Sequence, residues 1–393
     1  MSDENIFKGV NTICTHVGQV KDEQYGGSVS PIYPATSYEY IDKEIDRYPR
    51  YSSTPNQEFL AKKIAALEET EDAIILGSGM AAISTSLLAF LGSGDHIVIQ
   101  NDIYGGTRNL VEAQFKRYGI QYSFSDGLDV KSFEKEIMPN TKAIYIETPS
   151  NPLLKLVDIK EIANLSKSNG LISFIDNTFA TPLIQKPHKL GIDIILHSAT
   201  KYFGGHSDIC AGAVASTSEH REIIWNISKN IGGSLSDYTA WLLERSMKTL
   251  SVRFFAQQKN AVELSKYLTG CSNIDKVFYP GLEEHVNHDI AKKQMNGFGA
   301  VISFELNKKI DPKVFLKSLK MINPSMSFAG VESTMLSPAE TSHYLLTPED
   351  RIAQGITDNL IRFSVGIEDV QDIMNDFDNG FRAAKRLQLK AAE

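Results

Sequence analysis

The chain has 393 residues, of which 42% are hydrophobic and 22% are charged, and its formal net charge at pH 7 is −8. This composition is typical of a globular protein with a sizeable core, and a soft prior of about 150 residues per domain allows two or three domains. The negative charge argues against nucleic acid and against an anionic membrane surface as partners. The three cysteines form no CxxC pair, so we expect reduced thiols and neither a disulfide framework nor a zinc site.

Residues 1–60 predict an extended arm. The first ten residues are polar and acidic, unlike a signal peptide, and no apolar run approaches the length of about 20 residues that a membrane span needs. We therefore expect a cytoplasmic protein. Prolines recur in the arm among Ser, Thr and Tyr, and no helical period is sustained before about Gln57. An arm without a core of its own must lie on something, and we expect a neighbouring subunit.

Residues 61–247 predict an α/β domain. Short apolar runs alternate with helical patterns such as 158–168, which indicates a mostly parallel sheet covered by helices on both faces. Ligands of such folds bind at the carboxyl ends of the strands. The predicted strands are Ala73–Leu76, His96–Ile99, Ala143–Ile146, Leu171–Ile175, Ile192–Leu196 and Gly212–Ala215.

Residues 248–393 predict a smaller C-terminal α+β domain. A long amphipathic stretch at 254–268 predicts a helix, and strands at 300–306 and 360–365 flank a shorter helix near 312–319.

The stretch HSATKYFGGHSD suggests a covalently bound cofactor. Its lysine, Lys201, comes directly after a strand and is followed by a glycine pair. A lysine that a buried strand delivers into a Gly/Ser/Thr-rich turn is suited to form a Schiff base with a carbonyl compound. The hydroxyls of Ser198 and Thr200 flank it and are suited to hold a phosphate. Together they suggest pyridoxal 5'-phosphate, and the alternative is a solvated lysine at the end of a strand.

Polar side chains follow several other predicted strands. The turn 77–79 opens a helix whose first N–H groups suit a phosphate, but a P-loop lysine and a GxGxxG are both absent, which disfavours nucleotide binding. Asp176 ends its strand, where it would keep a pyridine nitrogen protonated, as the cofactor's action requires. The alternative is a loop cap. Tyr104 is suited to stack on the cofactor ring and Asn151 to bond its phenolic oxygen.

The motifs SGMAA, DIYGGT, ETPSNP, FIDNTFATP and HSATKYFGGH occur in this order, and with them the chain resembles the pyridoxal-phosphate-dependent trans-sulfuration family. That family includes cystathionine γ-synthase, cystathionine γ-lyase, cystathionine β-lyase, methionine γ-lyase and the O-acetylhomoserine sulfhydrylases. The resemblance extends from Ser30 to Asp369. It implies the aspartate-aminotransferase-like fold, fold type I, with a large mostly parallel-sheet domain and a smaller C-terminal α+β domain.

The resemblance implies roles for the matching residues. Lys201 would be the Schiff-base lysine and proton shuttle, and Tyr104 would act beside it. Arg362, in LIRFSVGIED, would pair with the substrate carboxylate, which Ser333, in VEST, and Asn151 would help to hold. The residues expected to bind the cofactor are Lys201, Asp176, Gly79, Met80, Ser198, Thr200, Tyr104, Asn151, Tyr48 and Arg50.

The arm would complete a shared site. By the resemblance, Tyr48 and Arg50 reach the phosphate of a neighbouring subunit, in a homo-oligomer that is expected to be a tetramer of two such dimers. One inserted residue before Pro55 makes Tyr51 the alternative tyrosine.

The implied reaction is γ-elimination or γ-replacement on cystathionine or an activated homoserine. The alternatives within the family are cystathionine β-lyase, methionine γ-lyase and O-acetylhomoserine sulfhydrylase. Asn109 resembles the sulfhydrylases, and Leu336 stands where cystathionine-handling γ-enzymes often have glutamate. Gly106 replaces the usual cysteine of methionine γ-lyases. A remote alternative is a non-catalytic cofactor-binding protein, which would need no clamp for a substrate carboxylate. A nicotinamide dehydrogenase is a rival by fold only.

Histidines are weak candidates for a metal site. His285 and His288 are three residues apart beside Glu284, but no third ligand accompanies them, so we expect no metal. His197 and His206 flank the lysine motif, where we expect packing and loop roles.

Overall fold

The computed structural model describes residues 7–44, 47–342, 344 and 347–392, and it divides the chain into two units. The first unit comprises residues up to Thr148 together with Val157–Val252. The second comprises Pro149–Leu156 and the residues from Arg253 onward. The short segment Pro149–Leu156 therefore belongs to the second unit, although the residues on both sides of it belong to the first. The sequence did not suggest this feature. Within the described residues, no helix is long and apolar enough to cross a membrane.

The first unit alternates helices and strands. Its strands are β1 Asp72–Leu76, β2 His96–Gln100, β3 Gln121–Ser125, β4 Thr141–Glu147, β5 Ile172–Asp176, β6 Ile194–His197 and β7 Gly212–Ser216. Its helices are α1 Val10–His16, α2 Pro55–Glu68, α3 Gly79–Phe90, α4 Gly105–Leu110, α5 Lys116–Tyr118, α6 Val130–Glu134, α7 Ile159–Ser168, α8 Thr181–Ile184, α9 Ser218–Ile231 and α10 Asp237–Met247. The next helix, α11 Leu250–Thr269, begins in this unit and ends in the second.

The sheet of the first unit has the order β1-β7-β6-β5-β4-β2-β3. Among its described strands, β7 pairs antiparallel with both β1 and β6 and the other pairings are parallel, which confirms the mostly parallel α/β sheet. The register pairs Glu147 with Asp176 and Asp176 with Leu196, so the carboxyl ends of β4, β5 and β6 lie side by side. Strand β3 was not predicted because it lies at the sheet edge and its sequence, QYSFS, contains no continuous apolar run.

The central strands are buried on both faces. Ile97 and Ile99 of β2 and Leu196 of β6 pack in one cluster with Leu87 of α3. Burying such a side chain stabilises a fold by about 1.5–3 kcal/mol, which explains the near-continuous apolar runs that predicted these strands. Helix α3 begins where the Ser78 hydroxyl accepts the N–H of Ala81 at 3.0 Å, an N-cap that places the helix start directly after β1.

The arm contains a helix, so the expectation of a helix-free arm is wrong for Val10–His16. Lys63 of α2 is fully buried, and its Nζ donates to the carbonyl of Cys14 at 2.7 Å. Gly18 has φ +67°, and a Cβ at this position would lie 2.6 Å from the Cβ of Lys63. This part of the arm is therefore fastened to its own chain.

The second unit contains a five-stranded sheet. Its strands are β8 Ile274–Phe278, β9 Val301–Leu306, β10 Asn323–Pro324, β11 Thr334–Leu336 and β12 Leu360–Ser364, in the order β10-β11-β12-β9-β8. Its further helices are α12 His288–Gln294, α13 Pro312–Ser318, α14 Pro348–Ala353 and α15 Val370–Ala392. Strand β12 is flanked on both sides, and Arg362 lies at its centre.

Candidate active site

Lys201 lies in a tight turn that follows β6. Its N–H donates to the carbonyl of Ser198 at 3.1 Å, and its carbonyl accepts the N–H of Gly205 at 2.7 Å. Gly205 has φ +69°, a left-handed conformation that glycine adopts at little cost. The side chain of Lys201 is partly buried. The turn thus holds the backbone of the predicted cofactor lysine on both sides, at the carboxyl edge of the sheet.

The N-terminus of α3 lies against Ser198. A Cβ built on Gly79 would lie 2.8 Å from the Cβ of Ser198, so only glycine fits this approach. The first N–H groups of a helix, here those of Gly79 and Met80, have no acceptor within the helix and face outward with the positive end of its dipole. The predicted phosphate-binding residues Gly79, Met80 and Ser198 therefore lie together.

Thr200 has a different environment. Its hydroxyl lies 3.2 Å from the carbonyl of Ala211 and accepts the N–H of the same residue at 3.0 Å. These bonds fasten the turn to the start of β7. Its role towards a phosphate stays a prediction.

Asp176 is buried at the end of β5, and its Oδ1 accepts the N–H of Thr178 at 3.0 Å. Burial raises the pKa of this carboxyl group, while hydrogen bonds from Thr178 and the electrostatic interaction with His197 act in the opposite direction. A buried carboxylate requires compensating charge or hydrogen bonds. The sequence had not identified Thr178, although the motif FIDNTFATP contains it.

Tyr104 begins α4 and is 43% exposed, which leaves part of its ring accessible to a ligand. Its N–H donates to the Oε2 of Glu147, the buried last residue of β4, at 2.7 Å. Gly106 packs under the ring, where a Cβ would overlap the Cε1 of Tyr104 and lie 3.1 Å from the Sδ of Met80. Glu147 is thus a positioning residue that sequence reasoning missed, although it opens the motif ETPSNP.

Tyr48 and Arg50 flank a short turn of the arm. Arg50 donates to the carbonyl of Lys229 in α9, and its guanidinium lies 5.4 Å from the centroid of the Tyr48 ring and 5.0 Å from that of Tyr51. The indole of Trp225 donates to the carbonyl of Tyr51 at 2.5 Å. In this chain the turn therefore lies on α9, and the predicted reach to a neighbouring subunit stays a prediction.

In the second unit, Arg362 contacts Asn151. The Nη1 of Arg362 donates to the Oδ1 of Asn151 at 3.0 Å, and its Nη2 donates to the carbonyl of Ser327 at 2.8 Å. The ring of Phe328 lies 5.3 Å from the guanidinium carbon. Two of the predicted substrate-binding residues therefore lie together. Ser327 was not predicted, and no motif in the sequence had pointed to it.

Ser333 is fully buried. Its hydroxyl donates to the Oε2 of Glu368 at 3.0 Å and accepts the N–H of Gly366 at 3.0 Å, while its own N–H donates to the other oxygen of Glu368 at 2.6 Å. These bonds join the loop before β11 to the segment after β12. Its predicted role towards a substrate carboxylate stays a prediction, and Ser327 is the exposed serine beside Arg362.

The histidines considered for zinc have other partners. His285 is buried, its Nδ1 accepts the N–H of Asn287 at 3.2 Å, and burial lowers its pKa to about 4. His288 contacts the carbonyl of Pro280 through Nδ1 at 2.8 Å and stacks on Phe298. Among the described residues, no group of three His, Cys, Asp or Glu side chains is placed to hold a metal ion.

These residues fit pyridoxal 5'-phosphate. The glycine-dependent contact at Ser198 leaves helix N–H groups available for its phosphate, and buried Asp176 would gain a compensating charge from a protonated pyridine nitrogen. The predicted task of Lys201 is to supply the amine for its aldehyde. The fold and the site thus define a pyridoxal-phosphate-dependent enzyme.

Comparisons with known proteins identify the family. A family model described as Cys/Met metabolism PLP-dependent enzyme matches residues 11–382. Over 368 residues the chain is 40% identical to the cystathionine gamma-lyase of Bacillus subtilis, covering 93% of this chain and 97% of that protein. It is also 40% identical over 370 residues to a cystathionine beta-lyase of Lactococcus lactis, with the same coverage. The chain belongs to the Cys/Met metabolism PLP-dependent enzyme family.

A solved structure supports the same assignment. The crystal structure of cystathionine gamma-lyase from Lactobacillus plantarum complexed with L-serine matches with a TM-score of 0.93 at 39% identity. The match covers 96% of this chain and 100% of that one. This confirms the fold type that the sequence motifs implied.

Proposed function

We propose that this enzyme catalyses γ-elimination or γ-replacement on cystathionine or an activated homoserine. The observation that carries the proposal is the YGGT turn at residues 104–107, in which Gly106 packs under Tyr104 and whose sequence resembles the γ-enzymes more than the bacterial β-lyases. Methionine γ-lyases usually carry a cysteine at this position, and here a Cβ would overlap the Tyr104 ring. The packing therefore favours cystathionine or an activated homoserine over methionine as the substrate.

The proposal assigns a task to each residue around the cofactor. Pyridoxal 5'-phosphate, when bound, supplies an electron sink for negative charge that develops beside the substrate's α-carbon. Asp176 would hold a proton on the pyridine nitrogen, and the start of α3 with Ser198 would hold the phosphate. Tyr104 would stack on the ring and keep it in place.

Lys201 would move the protons. Its amine would take the proton from Cα and deliver it to the cofactor's C4' carbon, which leaves the amine free to take a second proton from Cβ. The group on Cγ would then depart as a carboxylate, or as a thiolate that receives this second proton from Lys201 and leaves as a thiol. Arg362 would hold the substrate carboxylate through a two-pronged hydrogen bond, with Asn151 orienting the guanidinium. The Ser327 hydroxyl is a candidate further donor.

A product assay tests the reaction. γ-Elimination of cystathionine yields cysteine, ammonia and 2-oxobutanoate, whereas β-elimination yields homocysteine, ammonia and pyruvate. Because a beta-lyase is as similar to this chain as a gamma-lyase, the identity of the oxoacid decides between them. Incubation of an acylated homoserine with cysteine tests for replacement, which forms a thioether. Pyruvate as the main oxoacid would replace the proposal with β-elimination.

Reduction with borohydride tests Lys201. We expect it to fix the cofactor on the peptide that contains Lys201, and Lys201→Ala to abolish that labelling. Labelling of another lysine would contradict the assignment.

We also propose that the enzyme is a homo-oligomer with shared active sites and that it is cytoplasmic. Tyr48 and Arg50 of one subunit would contribute to the cofactor site of the next subunit. Mixing an Arg50→Ala variant with a Lys201→Ala variant after dissociation tests the sharing. Some hybrids would then carry one intact site, so activity should return. If hybrids form and stay as inactive as their parents, the arm contributes only to the active site of its own chain or to none.

A further inference from the structure

A buried group of polar side chains lies behind Asp176. Glu68, the last residue of α2, is fully buried, and its Oε1 lies 2.5 Å from the Nε2 of His197. The same oxygen accepts the Nδ2 hydrogen of Asn177, the residue after Asp176, at 2.9 Å. The sequence had suggested only a packing role for His197, and Glu68 had not been singled out.

The contacts define how His197 is held. Oε1 accepts from Asn177, and the imidazole nitrogen Nε2 faces the same oxygen, where an N–H would be a second donor to it. The ring of Phe203 lies 4.7 Å from that of His197 and restricts the imidazole on one face. The other oxygen of Glu68, Oε2, is buried and has no hydrogen-bond partner within the described part of the chain. A buried carboxylate of this kind is retained at a cost in stability, which calls for a functional reason.

The charges of this group alternate. His197 contacts Glu68 on one side and interacts electrostatically with Asp176 on the other, since it follows Leu196, the residue of β6 that pairs with Asp176 of β5. Burial raises the pKa of Asp176, and a positive charge on His197 opposes that rise. Glu68 is the group that favours a positive charge on His197 in this buried place. Without Glu68, the imidazole would lose the neighbouring negative charge that favours its cationic form.

We propose that Glu68 is a positioning residue that holds His197 as a cation behind Asp176, so that Asp176 stays ionised for the cofactor's pyridine nitrogen. This inference rests on the proposed function, which assigns Asp176 to that nitrogen. Glu68 acts through His197 and touches neither the cofactor nor the substrate. The order of charges is then Glu68 negative, His197 positive, Asp176 negative and pyridinium positive.

The test reads the charge of His197 directly. Solid-state ¹⁵N spectra of histidine-labelled holoenzyme at pH 7 distinguish an imidazolium from either neutral tautomer, and the signals that disappear in His197→Gln assign the residue. We expect wild-type His197 to be an imidazolium and Glu68→Gln to make it neutral. Glu69→Gln is the matched control, because Glu69 binds Lys186 and Lys189 instead and should leave His197 unchanged.

Turnover supplies the second readout. Glu68→Gln should lower kcat by about tenfold or more, since each unit of change in the pKa of Asp176 is a factor of ten in its ionisation constant and so in the charge stabilisation that it offers the pyridinium. In a His197→Gln background the same change should alter kcat by less than about twofold, because residues that act as one unit are not additive.

Each result has a defined meaning. A neutral His197 in the wild type overturns the proposal, whether or not Glu68→Gln folds. An imidazolium that persists in Glu68→Gln also overturns it. Neither outcome touches the proposed reaction, which the product assay decides. If His197 is an imidazolium that depends on Glu68 but the protein fails the product assay, this inference stands and the proposed function is wrong.

Discussion

Arg362 donates to the side-chain oxygen of Asn151 at 3.0 Å, although the two residues are 211 positions apart. A second nitrogen of the same guanidinium donates to the carbonyl of Ser327 at 2.8 Å. Arg362 is buried at the centre of β12, so these two acceptors determine the plane in which its fork lies. Two predictions depend on this arrangement.

Arg362→Lys should lower kcat/KM by about a hundredfold or more while the cofactor spectrum stays intact. An ammonium group is a point charge and cannot reach both acceptors or bind a carboxylate through two parallel bonds, and loss of such a buried pair costs about 2–5 kcal/mol. Steady-state kinetics on each amino-acid substrate measure the effect. The control is Arg351→Lys, at a residue of α14 that pairs with Asp358, and its kcat/KM should be near normal. An unchanged KM for every substrate would remove Arg362 from the site.

Asn151→Asp should raise KM by about tenfold or more. The new carboxylate keeps the shape and the acceptor oxygen but pairs with Arg362, so it competes with the carboxylate of the substrate. Because the competition is for binding, saturating substrate should restore much of kcat. The control is Asn375→Asp. The side-chain oxygen of Asn375 also accepts a hydrogen bond, from Gln371, but at an exposed position. A lower KM would show that Arg362 has another task.

Asp176→Asn should retain the cofactor and reduce turnover by about a hundredfold to a thousandfold. The amide has the same shape, but it removes the charge that keeps the pyridine nitrogen protonated, and electrostatic stabilisation of this kind is worth about 3–4 kcal/mol. Absorbance of the bound cofactor and kcat are the measurements. Asp193→Asn is the control, since Asp193 bonds Ser173 near the start of β5. Near-normal turnover would show that Asp176 only caps the loop after β5.

Gly106→Cys should displace the ring of Tyr104. The new Cβ would overlap the Tyr104 Cε1 and crowd the Sδ of Met80, so either the ring or the turn must move. We expect cofactor affinity to fall by about tenfold, as loss of one aromatic stacking contact is worth about 0.5–1.5 kcal/mol and the strained turn adds to it. Gly92→Cys is the control, because the nearest atom to a Cβ there is the Oδ2 of Asp95 at 3.6 Å. Unchanged cofactor affinity and an unchanged ring position would be the contrary result.

Lys63→Met should change how stability depends on pH. Burial lowers the pKa of Lys63 from 10.5 to about 8, so between these pH values the unfolded chain binds more protons than the folded chain. The free energy of unfolding should therefore rise with pH through this window in the wild type, by about 3 kcal/mol relative to the variant. Denaturant unfolding at pH 8 and pH 10.5 measures the difference. Lys62→Met, at an exposed neighbour, should keep the wild-type slope.

Much of the first unit could be predicted from local patterns. Buried parallel strands require continuous apolar runs, and a parallel sheet requires helices between them, so both the strands and the class of fold could be recognised. Lys201 and Asp176 could be identified because each follows such a run, and the carboxyl ends of parallel strands meet at one edge. Helix α1 and strand β3 were missed, since short or edge elements carry weak periodicity.

The sequence by itself determined the fold class, the cofactor and the family, because these depend on motifs whose residues are close together along the chain. Only the tertiary structure decided which distant side chains meet. It placed Ser327 beside Arg362, buried Ser333 against Glu368 and joined Glu68 to His197 across 129 residues. No local pattern encodes these contacts, because each depends on where two separate chain segments come to lie once the core has packed.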